Sequence, residues 1–178
     1  MKEEILKYDK NFDESVFLTR IDHIFIMVLS AIMDNDMSSV KHYLSDEVYE
    51  KFDTMVKGYT EKGRIRLFDE MNIKESSISS VNVDEERIHI TARIVTRYMD
   101  YFLDENGNYV SGINDHRVEN THYVVFSKRL NAEELKSARR CPNCGHTLDV
   151  NNSGICPYCN GVFNMEKYDY IVTSMDLV

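Results

Sequence analysis

From Phe17 to Ile32 apolar residues recur at steps of three and four, at Phe17, Ile21, Ile24, Phe25, Val28 and Ile32. That spacing lays one stripe along a helix, and Asn11 followed by Glu14 has the spacing of a capping box that would start it. A shorter helical segment, Met37 to Leu44, ends at Ser45, whose hydroxyl can cap a third helix carrying Val48, Phe52, Met55, Val56 and Tyr59 inward. Gly63 supplies its stop. From Ile73 the period changes. Ile78 to Val83 is rich in β-branched residues, and Arg87 to Phe102 alternates, with Ile88, Ile90, Ala92, Ile94 and Tyr98 on one face and His89, Thr91, Arg93 and Arg97 on the other. Asp104 to Gly112, with Glu-Asn-Gly-Asn at its centre, predicts a turn or hairpin loop. A third strand is expected from about Val118 to Leu130 and a fourth from Tyr168 to Leu177. Helices first and an antiparallel meander after them define an α+β fold in which helices cover one face of a sheet.

Composition supports a folded chain. Of 178 residues, 43% are hydrophobic and 29% charged, with two prolines and seven glycines. One domain with a small insert accounts for that length better than two full domains. The net charge of -9 is shared by both ends of the chain, and a field of that sign repels phosphate backbones and anionic headgroups. A local exception is Lys128, Arg129, Lys136, Arg139 and Arg140, which a solvated helix face explains as well as an anion contact does. No basic stretch followed by an apolar run opens the chain, and the most apolar stretch, Ile21 to Ile32, is shorter than a membrane span and is interrupted by Asp22 and His23. The expected compartment is the cytoplasm.

All four cysteines fall between the third and fourth strands, as Cys141-Pro-Asn-Cys144-Gly and Cys156-Pro-Tyr-Cys159-Asn-Gly. A pair separated by two residues can turn back and bind one ion, and two such pairs complete a tetrahedral thiolate shell, so one structural Zn2+ is expected. Gly145 and Asn160 follow the pairs, where the chain must turn sharply and a left-handed backbone costs least. The segment between the knuckles is short. With Leu148, Val150, Ile155, Tyr158, Val162 and Phe163 as its few apolar residues, the metal must do most of its folding. Disulfides would need an oxidising compartment, and a catalytic zinc would keep an open position. His146 beside the first knuckle would be a surplus ligand, and an iron centre could use the same four sulfurs.

A further pattern lies in the helical region. Ala31, Asp36, Met37, Val40, Tyr43, Leu44 and Ser45, followed by Tyr49 and Phe52, resemble the helix signature of domains similar to subunit 44 of the mitochondrial inner-membrane translocase. Some bacterial relatives carry a zinc ribbon before the last strand, as at 141–163 here. The resemblance covers roughly residues 12–178, leaving 1–11 as a lead segment. It implies a cone-like fold of the nuclear-transport-factor type, with a curved sheet and helices enclosing an apolar pocket. It also implies an association with protein transport through binding rather than turnover. Relatives with a membrane anchor or glycine-rich lead differ from this chain, which shows neither, so membrane attachment is left open.

Three functions follow. The first is a non-enzymatic module whose apolar pocket takes a peptide, lipid or protein partner, with the ribbon as a docking surface. The second is a cone-fold isomerase or dehydratase using His89, His122 or Tyr98, with Asp100 or Glu119 as orienter. The third is nucleic-acid binding. It is opposed by the absence of lysine and arginine from Cys141 to Gly161 and by Tyr158 being the one aromatic there. The first reading needs no catalytic group and is preferred.

Overall fold

The computed structural model describes residues 1–132, 141, 144–147, 156, 158–160 and 165–177. Helices α1 (Lys2–Tyr8) and α2 (Glu14–Met33) are followed by a 3-10 helix (Met37–Tyr43) and α3 (Asp46–Glu61). Strands β1 (Arg64–Val83), β2 (Arg87–Asp104) and β3 (Tyr109–Arg129) come next, then a second 3-10 helix (Met165–Lys167) and β4 (Ile171–Ser174). The strands lie in chain order in one antiparallel sheet. The fold is α+β and cone-like, with the cysteine segment just before the last strand.

Helix α2 forms where the apolar period places it, but Asp13 caps it rather than Asn11. The Asp13 carboxylate accepts the Val16 N–H at 2.9 Å. Phe12 lies before the cap, buried against Phe17 with ring centroids 5.3 Å apart, which sets the entry angle of the chain. Ser45 caps α3 as expected, accepting from the Val48 N–H at 3.3 Å. The segment between them is a 3-10 helix, capped by the Asp36 carboxylate on the Ser38 N–H at 2.9 Å. By length and composition α2 is apolar enough to cross a membrane, beyond what Ile21 to Ile32 alone suggests. In this fold Phe17, Ile21, Ile24, Phe25, Val28, Leu29 and Ile32 are buried in the core. The lead segment also contributes, since Ile5 of α1 is fully buried.

The apolar face of β2 is the floor of that core: Ile88, Ile90, Ala92, Ile94 and Tyr98 are each at most 1% exposed. Three strand boundaries differ from the sequence expectation. β1 begins directly after Gly63, because its first residues pair with the far end of β2. The tip between β2 and β3 is confined to residues 105–108, and β3 starts at Tyr109. β4 spans four residues, flanked on its outer side by Leu44, which bridges Val172, and by the Ser45 N–H on the Val172 carbonyl at 2.8 Å.

The sheet bends at one level. Going from Tyr98 to Asp100, the β3 partner jumps from Val118 to Ile113, and across β2 the β1 partner jumps between Asp69 and Asn72. Extra residues on both flanks of one point force the strands to curve, and Glu70 takes a positive φ of 49° there. Beyond the bend the sheet meets the end of α3. Arg66 donates to both Asp100 oxygens at 2.9 and 2.6 Å, and Tyr59 meets Phe102 edge-on at 5.0 Å. Gly112 is required at this place: its φ is 106°, and a Cβ would lie 2.4 Å from the Asp100 carbonyl oxygen.

Candidate metal centre and binding cleft

Two knuckles bring the four sulfurs together. The Gly145 N–H returns to the Cys141 carbonyl at 2.8 Å, and the Asn160 N–H returns to the Cys156 carbonyl at the same distance. Both turn residues have positive φ, 75° at Gly145 and 54° at Asn160, as the sequence leads one to expect. The sulfurs of Cys141, Cys144, Cys156 and Cys159 all lie within 4.8 Å of one another. Two cross-knuckle pairs are close: Cys141 Sγ to Cys159 Sγ at 3.6 Å and Cys144 Sγ to Cys156 Sγ at 3.7 Å.

Those spacings bear on the rival uses of the thiols. A disulfide needs sulfurs about 2.05 Å apart. Four thiolates about 2.3 Å from one tetrahedral ion stand about 3.8 Å from each other, close to the two shortest distances here. The set can therefore hold a metal ion. The Cys144 N–H lies 3.4 Å from Cys141 Sγ, a contact that favours a thiolate. His146 has its Nδ1 3.8 Å from Cys144 Sγ and its ring stacked on Tyr158 at 4.2 Å, so it joins the two knuckles from outside the sulfur set. Leu148, Val150, Ile155, Val162, Phe163, Lys136, Arg139 and Arg140 lie outside the described residues.

Of the residues considered for acid–base chemistry, His122 and Tyr98 meet, whereas Glu119 and His89 are engaged elsewhere. His122 is 1% exposed on the inner face and meets Thr96 Oγ1 at 3.2 Å and Tyr98 Oη at 3.3 Å. Burial lowers its pKa, and burial pushes the Tyr98 phenol up to about 12. Asp100 is clamped by Arg66, while Glu119 pairs with Lys74 at 2.6 Å, and that hydrogen bond lowers its pKa. His89 lies on the opposite face. Its Nε2 is 2.8 Å from Asp84 and its Nδ1 is 2.7 Å from Ser127 Oγ. The order resembles a hydrolase triad, but Ser127 is fully buried and its hydroxyl is shared with Thr173 Oγ1 at 2.5 Å. These contacts tie the β1–β2 turn to β3 and β4.

Periodicity does not announce the cleft of about 520 Å³ at the start of α2. It is walled by the α1–α2 connection, the end of β3 and the approach to β4, so both stretches that flank the cysteine segment, at Ala132 and at Tyr168, line it. Phe12, Phe17 and Tyr170 form its apolar wall, with Phe17 and Tyr170 edge-on at 5.2 Å. Two ion pairs cross it, Lys128 to Asp9 at 2.9 Å and Arg20 to Asp169. His42, close to Arg20, has its pKa pushed down to about 4, by burial first and then by the Arg20 charge.

Fold and site together define a helix-covered, bent antiparallel sheet with a four-cysteine cluster, which could hold a metal ion, hung before its last strand. The chain belongs to the Tim44-like domain family, whose model matches residues 2–137 and so covers the helices and the first three strands. The cysteines and β4 follow that match. Among solved structures, the intermembrane space region of the chloroplast protein ARC6 is similar at 12% identity and a TM-score of 0.48, over 66% of this chain and 85% of that one. No curated protein matches the chain significantly.

Proposed function

We propose that the protein is a non-enzymatic binding module of a transport-related type, cytoplasmic, in which one structural zinc ion held by Cys141, Cys144, Cys156 and Cys159 folds a ribbon beside a peptide- or protein-binding cleft. The observation that carries this reading is the contrast in commitment. His89, His122, Asp100 and Glu119 each have a partner inside the fold, whereas the cleft opens to solvent beside the two stretches that flank the cysteine segment. Four sulfurs fill a tetrahedral shell and leave the metal no vacancy for substrate. Family membership supports the same class, since what the Tim44-like resemblance implies is association with partners in protein transport.

A peptide or protein is preferred to an anionic membrane surface because a net charge of -9 opposes the latter. The cleft also falls within the size range of ligand sites and mixes aromatic with charged lining. The test uses zinc-loaded protein against a peptide panel and against neutral and anionic vesicles, read by thermal shift and by amide NMR. Saturable binding of peptides, with shifts at Phe17, Lys128 and Tyr170, is the expected result. Binding to anionic vesicles alone, or turnover of a small-molecule substrate at an enzymatic rate, would contradict it.

A further inference from the structure

The outer face of the sheet, turned away from the helices, changes character at the bend. From the β1–β2 turn up to the bend, ion pairs lie over it. Arg93 meets Glu75 at 3.4 Å, and two pairs cross β2 from β1 to β3, Lys74 with Glu119 at 2.6 Å and Glu70 with Arg117 at 3.6 Å. Val95 shows their effect. It pairs with Glu75 and Thr121 on this face and does not join the hydrophobic cluster of the core, yet it is 4% exposed.

Beyond the bend the same face is apolar. Ile65 pairs with Leu103, Leu67 with Tyr101, Asp69 with Met99 and Leu103 with Tyr109, and cross-strand partners share a face. Ile65, Leu67, Met99, Tyr101, Leu103 and Tyr109 thus form one patch, with Asp69 at its corner accepting the Tyr101 hydroxyl at 3.3 Å. Tyr109 is exposed and the other five are half-buried, and none of the six joins the core cluster. Helix α3 lies on the opposite side, where Tyr59 meets Phe102 and Arg66. A sheet with one wet face alternates apolar and polar residues, whereas a sheet covered on both faces runs apolar without a break. Here β2 reads Tyr98-Met99-Asp100-Tyr101-Phe102-Leu103, and its single charge, Asp100, is clamped by Arg66 on the inner side. This end of the sheet is composed to be covered twice.

We propose that a second copy of the chain covers it, the two outer faces packing about a two-fold axis near Tyr101. The charges at the two ends of the patch select a copy as the occupant. On the bend side lies Arg97, exposed, whose cross-strand neighbour Glu119 is taken by Lys74. At the tip lie Asp104 and Glu105. A two-fold axis at Tyr101 reverses the strands, so Leu103 lies over Met99 and Glu105 of each protomer approaches Arg97 of the other. An isologous contact needs a self-complementary patch of this kind. Val110 and Ile113, exposed at the neighbouring edge, widen it. Three strands by about five residues span roughly 10 by 17 Å, small beside the roughly 800 Å² per partner of a standard interface. Each copy also carries a net charge of -9. The dimer is therefore weak, with a dissociation constant of about 10–100 µM.

The experiment is sedimentation velocity of the zinc-loaded full chain over a concentration series, with amide NMR of the same samples. A monomer–dimer equilibrium is expected, with concentration-dependent shifts at Leu67, Met99, Tyr101 and Leu103. Leu67→Asp should abolish the dimer. Arg97→Glu and Glu105→Arg should each weaken it by about three- to tenfold, and the two together should restore it. Both of those residues are exposed, so the charge exchange decides the matter even if Leu67→Asp fails to fold. A protein that is monomeric at every concentration would overturn the proposal, and so would a dimer indifferent to all three variants. Shifts at the patch on adding neutral vesicles, in a protein that stays monomeric, would overturn it in favour of a lipid surface. The cleft at the start of α2 shares no residue with this face, so peptide binding is tested separately.

Discussion

The helix–sheet body and the cysteine knuckles bury different things. In the body the largest fully buried side chains are Phe25, Phe52, Tyr98 and Phe126, each 1% exposed, and they draw on α2, α3, β2 and β3. In the knuckles, among the described residues, the buried ones are Cys141 and Cys156, while Tyr158 is 64% exposed. The body can fold from apolar transfer alone, at about 1.5–3 kcal/mol for each large side chain it buries. The knuckles bury two of their four cysteines, and four thiolates this close would repel one another unless an ion lay between them.

Removing a sulfur is the strongest way to break this contrast. Structural zinc contributes roughly 10–16 kcal/mol of apparent binding free energy. Cys156→Ser should therefore abolish metal binding and collapse the amide dispersion of Gly145 and Asn160, with the β2 amides unmoved in the same spectrum. A body that unfolded along with the knuckles would show that the two regions are not separable. The converse experiment is Gly112→Ala. A Cβ 2.4 Å from the Asp100 carbonyl on a backbone with φ of 106° has no room. The body should lose about 2–4 kcal/mol in urea unfolding, and zinc content should stay at one ion.

Acid distinguishes the regions by mechanism. His42, with a pKa of about 4 in the fold, and His122, also lowered, are neutral where they are buried, and both would titrate near 6.5 in the unfolded chain. The unfolded state thus takes up protons first. Stability is complete above about pH 6.5 and falls as pH drops toward about 4, by on the order of 2 kcal/mol once solvent screening is allowed for. Metal-free protein should keep this slope, and His42→Leu should reduce it. If chelation removed the pH dependence, thiol protonation and not the histidines would be its source. The smallest effect is local to the body. Ser45→Ala deletes the cap of α3 and should cost about 1 kcal/mol in urea unfolding, with the knuckles unaffected.

How much of this could be read from the sequence depends on how each element is buried. Helix α2 and the inner face of β2 show their periods because one face of each is buried along most of its length. The start of β1 hides its period, since Glu70 at positive φ breaks the alternation and the neighbouring register shifts flip the faces. β3 is exposed on both faces from Tyr109 to Arg117, so nothing selects alternating residues there, and Asn-Gly-Asn drew the loop boundary too far. Helix α1 buries fully only Ile5, too little for a pattern. The four cysteines were legible because metal geometry acts over two-residue spacings. The cleft was not, because its ion pairs join residues more than a hundred positions apart, Asp9 with Lys128 and Arg20 with Asp169.

Sulfur-shell occupancy is the central point, and X-ray absorption at the zinc edge on protein of measured metal content reads it directly. One ion per chain, surrounded by four sulfurs at about 2.3 Å and no lighter atom, is the expected result. A substoichiometric metal, or a shell that includes an oxygen or nitrogen, would contradict it.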